Sequence, residues 1–138
     1  MKHDYEKIIN QLNLTTLSNS NILITGANGL IGGFLADLFS YLNDTYGFNI
    51  KLTLTSLSKT PNRIPHLLDR DDVTYISLDL STERLSLSSI DFCFYCAGYA
   101  QPSKFLSQSM TTLLLNSYGV ANTFESIFNS IQTQHVFI

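Results

Sequence analysis

Ile22-Leu-Ile-Thr-Gly-Ala-Asn-Gly-Leu-Ile-Gly-Gly33 is the stretch that decides how the rest of the chain is read. Ile22 to Ile24 is a short apolar run without alternation, which predicts a parallel strand buried on both faces. Glycines follow at 26, 29 and 32, three apart. From Leu30 the apolar residues Leu30, Ile31, Phe34, Leu35, Leu38, Phe39 and Leu42 recur at helical spacing. The unit is a strand, a glycine turn and a helix from about Leu30 to Leu42, with Gly47 as its stop.

Each glycine has a separate physical reason. Gly26 can take the dihedrals of a tight strand-to-helix turn, Gly29 has no Cβ to hold a diphosphate away from the backbone, and Gly32 lets the helix lie close on the strand. The opening turn of a helix leaves amide N–H groups without partners at the positive end of its dipole, so an anion is favoured there. The expected ligand is a dinucleotide, with Gly26, Asn28, Gly29, Leu30, Ile31 and Gly32 as its candidate contacts. Three spaced glycines are a weak signal alone and could serve packing only; their place between a strand and a helix gives them weight.

Thr25-Gly-Ala-Asn-Gly-Leu-Ile-Gly32 resembles the Thr-Gly-x-x-Gly-x-x-Gly signature of the short-chain dehydrogenase/reductase superfamily. The form is that of its extended members, the nucleotide-sugar epimerases, dehydratases and decarboxylases. A second stretch, with Ala97, Ala100, Pro102, Phe105, Asn116, Gly119 and Asn122 in order, is similar to the corresponding part of the UDP-glucuronate decarboxylases and their dehydratase relatives. One departure is Tyr95, where those enzymes often have His.

Composition sets bounds. The chain has 138 residues, 44% of them hydrophobic, enough for one domain with a real core. Only 14% are charged, against roughly 25% in typical domains, so a partner or further chain is expected to cover neutral surface. A net charge of -3 and no Lys/Arg cluster argue against nucleic acid. The start, Met1-Lys-His-Asp-Tyr-Glu6, is not an apolar signal, and no apolar run approaches the ~20 residues of a membrane span. A cytoplasmic protein is the expectation.

Cys93 and Cys96 form a Cys-x-x-Cys. They fall in Asp91-Phe-Cys-Phe-Tyr-Cys-Ala97, which reads as a buried strand, where residues three apart point to opposite faces. A redox pair of this spacing needs a helix N-terminus to lower the thiol pKa. Both are read as core thiols.

In chain order, Asp4 to Leu12 is expected to be a short amphipathic helix and Leu14 to Asn21 a polar loop, a lead-in over residues 1–20. Ile50 to Leu57 alternates and reads as the second strand. An NAD-binding fold places an Asp or Glu about 20 residues beyond the glycines to bond the adenine ribose, yet no acidic residue stands between Asp44 and Asp69. Thr55-Ser-Leu-Ser-Lys59 ends this strand, with Arg63 shortly after. Ser56, Ser58 and Lys59 would suit a ribose 2′-phosphate, or form a merely solvated loop. The resemblance implies NAD in many relatives, so NAD and NADP both stay open. Thr60 to Asp72 reads as a surface connection with a short helix around Ile64 to Asp69.

Val73 to Leu80 is the expected third strand. The resemblance implies that Asp79 at its end meets the adenine amino group while Leu80 lines the ring; a plain loop Asp is the alternative. Ser81 to Ser89 is a Ser-rich link with Leu85 and Leu87 as anchors. The fourth strand, Asp91 to Ala97, runs into Gly98-Tyr-Ala-Gln-Pro102, where small residues let chain and nicotinamide approach, making Ala97, Gly98 and Ala100 candidate cofactor-wall positions. Asn116 is added by the second similar stretch.

A long helix over much of Met110 to Ile131 is expected, with Met110, Leu114, Tyr118, Ala121, Phe124 or Glu125, Phe128 and Ile131 on one face and Leu113, Val120 and Ile127 widening it. Residues 105 to 138 carry a single formal charge, Glu125. A helix so broadly apolar needs cover beyond its sheet side. The resemblance implies a homodimer through this helix; an ordinary core helix under further chain is the alternative. His135-Val-Phe-Ile138 reads as the opening of a fifth strand.

The resemblance also implies a Tyr-x-x-x-Lys pair, the Tyr as acid/base and the Lys lowering its pKa. None of the 7 tyrosines has Lys four residues on, so this sequence holds no complete catalytic set. The histidines His3, His66 and His135 show no metal-ligand spacing, and neither a nucleophile elbow nor a nucleoside-triphosphate loop is present.

The expected fold is α/β, a Rossmann-like doubly wound parallel sheet of order 3-2-1-4-5, truncated after the fifth strand and spanning residues 21–138. The function implied by resemblance is the cofactor-binding half of an NAD(P)-dependent nucleotide-sugar epimerase, dehydratase or decarboxylase acting on a nucleotide-sugar substrate. A non-catalytic dinucleotide-binding or regulatory module of the same fold is the alternative.

Overall fold

Strands β1 (Asn21–Thr25), β2 (Lys51–Ser56), β3 (Val73–Ser77) and β4 (Phe92–Tyr95) pair in parallel in the order β3-β2-β1-β4. This is a computed structural model, and it describes residues 2–99 and 102–130. Thr25 is level with Thr55 on one side and Tyr95 on the other. The three strands therefore finish in one row, and their exit turns share one edge of the sheet. The expected fifth strand, residues 135–138, lies outside the described residues.

Helices α1 (Lys2–Gln11) and α2 (Leu30–Tyr46) cover one face. Ile22 and Ile24 point to that side, into a core with Tyr5, Leu38, Phe39, Leu42, Leu52, Leu54 and Phe92. Tyr5 rests against Phe34 and Tyr41, so the N-terminal helix is part of this core. Leu23 and Cys93 point the other way, into a smaller cluster with Leu78, Leu80, Leu85, Ile90 and Ile127. The alternation is what a strand demands. Leu85 is buried and Leu87 packs beside it, as their anchoring role predicts.

The two thiols obey the same alternation. Cys93 belongs to the smaller cluster while Cys96 packs against the larger one. Burial pushes the Cys93 thiol up to about 12 and raises Cys96 as well, the opposite of a redox pair.

Several expected boundaries move. α2 continues a turn beyond Leu42 and stops at Gly47, whose φ of 65° is the left-handed cap that glycine accepts. Asn43 makes the extra turn useful: its Nδ2 donates to the Ile50 carbonyl (2.7 Å) and Asp72 Oδ2 (2.8 Å), and its Oδ1 accepts the Ile50 N–H (2.8 Å). β2, β3 and β4 are each shorter than the apolar runs that announce them, because Leu57, Leu78 to Leu80 and Cys96 to Ala97 belong to the exit turns. The connection after β2 holds only a single 3₁₀ turn, Pro65–Leu67.

The long C-terminal helix is the main correction. It is α3 (Pro102–Ser107), α4 (Ser109–Leu114), a π-helical turn (Leu115–Gly119) and α5 (Val120–Phe128). The face toward the sheet is Thr112, Gly119, Asn122, Thr123 and Ile127, whereas Met110, Tyr118 and Phe128 of the expected inner face are exposed. Small polar residues take the inside because the Tyr95 ring already fills the space there. Tyr95 donates its hydroxyl to the Leu115 carbonyl at 2.7 Å. That acceptor opens the π turn, and Gly119 closes it against the same hydroxyl. Among the described residues no helix is long and apolar enough to cross a membrane.

Candidate functional site

A cleft of about 380 Å³ opens at the edge where the strands finish, and all four exit turns line it. It lies where the chain order reverses between β1 and β4, the switch point at which open α/β sheets bind ligands.

The turn after β1 forms its floor. Gly26 sits at φ 66°, and a Cβ there would come within 2.5 Å of the Cys96 carbonyl oxygen. A Cβ on Gly32 would stand 2.5 Å from the Gly26 carbonyl oxygen, so α2 reaches the strand only because neither residue has one. Gly29 differs: its φ of −85° and ψ of 176° suit any residue, and its Cβ would meet only the Gly26 oxygen, at 3.1 Å. Its missing side chain clears the cleft and is not required by the turn. The Gly29 N–H donates to Gly26 O (2.9 Å) and the Gly33 N–H to Gly29 O (3.0 Å). The N–H groups of Leu30, Ile31 and Gly32 lie between these bonds, in the first turn where a helix offers donors to an anion. The Leu30 and Ile31 side chains are exposed beside them.

Thr25 closes the far side. Its Oγ1 accepts the N–H of Cys96 (3.0 Å) and of Ala97 (3.2 Å), fixing the exit from β4 against the glycine turn. It belongs to the motif quoted above, but only the structure gives it this role.

The β2 and β3 exits form the other rim. Ser56, Leu57 and Ser58 line it, with the Ser56 and Tyr75 hydroxyls 2.6 Å apart and the Ser58 N–H donating to Ser56 Oγ at 3.2 Å. No carboxylate stands at this end of β2. Asp79 is the charged side chain among the lining residues. Its Oδ1 accepts the N–H (2.9 Å) and the hydroxyl (2.6 Å) of Ser81, and its own N–H donates to Glu83 Oε2 (2.7 Å). Asp79 thus shapes the turn that carries Leu80 into the cleft.

Of the residues expected at the site, Gly26, Asn28, Gly29, Ser56, Ser58, Asp79, Leu80, Ala97 and Gly98 line this one cleft. Gly32 is buried beneath it, and Lys59 is exposed outside the lining. Ala100 lies outside the described residues. Asn116 is exposed, and Leu115 faces the cleft instead, a consequence of the π turn. Leu57, Leu78, Cys96 and Tyr99 also line the cleft, beyond the residues the sequence marks. Each neighbours an expected residue in a turn, where neither helical nor strand periodicity says which side chain points inward.

Gly119 completes the packing. A Cβ on it would meet the Tyr95 hydroxyl at 2.7 Å and the Leu80 carbonyl oxygen at 3.1 Å. Burial raises the Tyr95 phenol to about 12, so it stays protonated as the donor to Leu115. Among the described residues no cluster of His, Cys, Asp and Glu could hold a metal ion.

No protein-family model matches the chain, and no curated protein matches it in sequence. Solved structures do. The Bordetella bronchiseptica enzyme WbmF in complex with NADH is similar at a TM-score of 0.69 and 16% identity, over 90% of this chain and 36% of that one. UDP-N-acetylglucosamine 4-epimerase from Methanobrevibacter ruminantium M1, in complex with UDP-N-acetylmuramic acid, is similar at 0.62 and 21% identity, over 82% of this chain and 35% of that one. A short-chain dehydrogenase/reductase from Brucella melitensis is similar at 0.64 and 22% identity, over 84% of this chain and 53% of that one. The chain thus spans little more than a third of the first two. Together the sheet order, the glycine turn at the switch point and these likenesses establish a Rossmann-like doubly wound α/β fold.

Proposed function

We propose that this chain is the dinucleotide-binding part of an NAD(P)-dependent enzyme acting on nucleotide sugars, of the epimerase, dehydratase or decarboxylase kind. The observation that carries the reading is the turn at Gly26, closed on Gly32, which puts Gly26, Asn28 and Gly29 in the cleft wall directly before the first turn of α2. A diphosphate is the ligand that first-turn amides favour. The cleft continues on one side to Ser56, Ser58 and Asp79, suited to an adenosine, and on the other to Ala97, Gly98 and Tyr99, suited to a nicotinamide. The bound nicotinamide would take and return a hydride. In this reading Thr25 and Gly26 fix the floor, Gly29 admits the diphosphate, and Leu80 backs the adenine.

The absence of a carboxylate at the end of β2 supports acceptance of a 2′-phosphate, which a carboxylate there would repel. Titration calorimetry with NAD and NADP tests both points: binding of either upholds the site, and a preference for NADP upholds the rim. A nucleotide-sugar substrate is supported by the sequence resemblance and by the UDP-sugar complex of the Methanobrevibacter enzyme. A homodimer through α4 and α5 is supported by their exposed apolar residues.

The second reading is a binding or regulatory module without catalysis, which a natural stop at Ile138 would favour. A reading frame that continues into such a helix decides for the enzyme.

A further inference from the structure

The connection between β2 and β3, residues 57–72, is held over the outer side of the glycine turn by contacts the cofactor site does not explain. The Arg63 N–H donates to Asn28 Oδ1 at 3.0 Å. The Arg63 side chain lies over Gly33, where an added Cβ would come within 2.5 Å of its Nε and 2.7 Å of its Cδ. Farther along, His66 Nε2 meets Asp37 Oδ1 of α2 at 2.7 Å. The near end is tied to the sheet, with the Tyr75 hydroxyl donating to the Ser58 carbonyl at 2.5 Å and the Ser58 N–H to Ser56 Oγ.

Two details show that Asn28 matters here. Its partner is a backbone N–H, so its amide turns its oxygen to Arg63, which fixes the orientation of the side chain at the edge of the cleft. Among the described residues the buried Arg63 Nε has no hydrogen-bond partner. A buried donor left unpaired is unfavourable, and it persists because the backbone at residue 63 is fixed by something else. Ile64 and Leu67, sealed in the larger core, hold the backbone on one side of residue 63, and the bond to Asn28 ties it to the glycine turn.

We propose that Asn28 is a positioning residue, which through the Arg63 N–H couples the glycine turn to the rim at Ser56 and Ser58. Filling the turn with a diphosphate orders the connection, and the ordered connection holds the rim against the ribose. The coupling rests on the dinucleotide reading; the tether itself does not.

Amide hydrogen exchange on the full chain, with Asn28→Ala and Asn28→Asp, separates the two. Loss of one hydrogen bond of about 1 kcal/mol corresponds to roughly fivefold faster exchange, expected across residues 57–68 in unliganded Asn28→Ala. Asn28→Asp keeps the acceptor and should keep exchange slow. ADP should slow exchange across 57–68 in the parent and far less in Asn28→Ala, and the ratio of NAD to NADP dissociation constants should move toward one in that variant. Equal unliganded exchange in parent and Asn28→Ala overturns the tether. Undiminished ADP protection in Asn28→Ala overturns the coupling. If the parent binds none of ADP, NAD and NADP by calorimetry, the dinucleotide reading and the coupling fall together, while faster unliganded exchange in Asn28→Ala still upholds the tether.

Discussion

Two glycines of one motif make opposite demands on their surroundings. Gly29 has ordinary dihedrals and a Cβ there would press only on the Gly26 oxygen, at 3.1 Å, so Gly29→Val should keep the circular dichroism of the parent and lower its melting less than a side chain at position 32 does. It should still weaken dinucleotide binding about 10- to 100-fold, the loss of about one hydrogen bond to a charged group. Gly32→Ala drives a Cβ onto the Gly26 carbonyl, so it should destabilise the fold by about 1–3 kcal/mol, measured by denaturant titration. Were Gly29→Val to bind as well as the parent, the diphosphate would have to lie elsewhere. Two other residues set the alkaline limit. Folding raises Cys93 from 9.0 and Tyr95 from 10.0, each to about 12. Both favour the neutral form, so their contribution is complete below the ordinary values and is lost as pH rises toward 12. Stability should therefore fall above about pH 9, and Tyr95→Phe should flatten the part of that fall above about pH 10. Urea midpoints between pH 8 and 11 measure it.

Among elements, the unit of β1 and α2 was legible because an apolar run, spaced glycines and a helical stripe all point to one local structure. The element order and the parallel sheet followed from it. Strand ends were not legible, because Leu78 and Ala97 are apolar whether they pair in a sheet or line a cleft. The π turn was hidden for a stronger reason: its first carbonyl is held by a hydroxyl on Tyr95, 20 residues earlier, which no local pattern records. Helical periodicity then marked the exposed apolar face as the buried one. Asn43 shows the same limit, since nothing local says that a polar residue near a helix end binds the start of a strand. Removing its three hydrogen bonds in Asn43→Ala should cost about 3 kcal/mol, at about 1 kcal/mol each. Thermal melting checks this, and a change below the scatter of the measurement would assign the strand's placement to Arg70 and Asp72 instead.

For the whole molecule, the low charge content predicts covered neutral surface, and the C-terminal helices carry several exposed apolar side chains. Leu106 is 77% exposed and Phe128 69% exposed, with Phe105, Met110 and Leu113 also in solvent. Patches of this kind mark contacts with other chains. If a second copy covers it, light scattering should report a dimer for the parent and a monomer for the double variant Leu113→Glu, Phe128→Glu. A parent that stays monomeric at high concentration would remove the second copy from consideration. The double variant should keep its dinucleotide affinity, because neither residue lines the cleft.

The unequal apolar layers on the two sides of the sheet give the protein a weak flank. Beyond Leu23 and Cys93, the helices of that flank are anchored chiefly by Ile127 and the partly buried Leu115, whereas α2 sends in Ala36, Leu38, Phe39 and Leu42. Sparse anchoring means low free energy for local opening. A protease that attacks transiently open chain should therefore nick first between Gln108 and Ser130, leaving a core fragment in which Ile22 and Ile24 remain sealed.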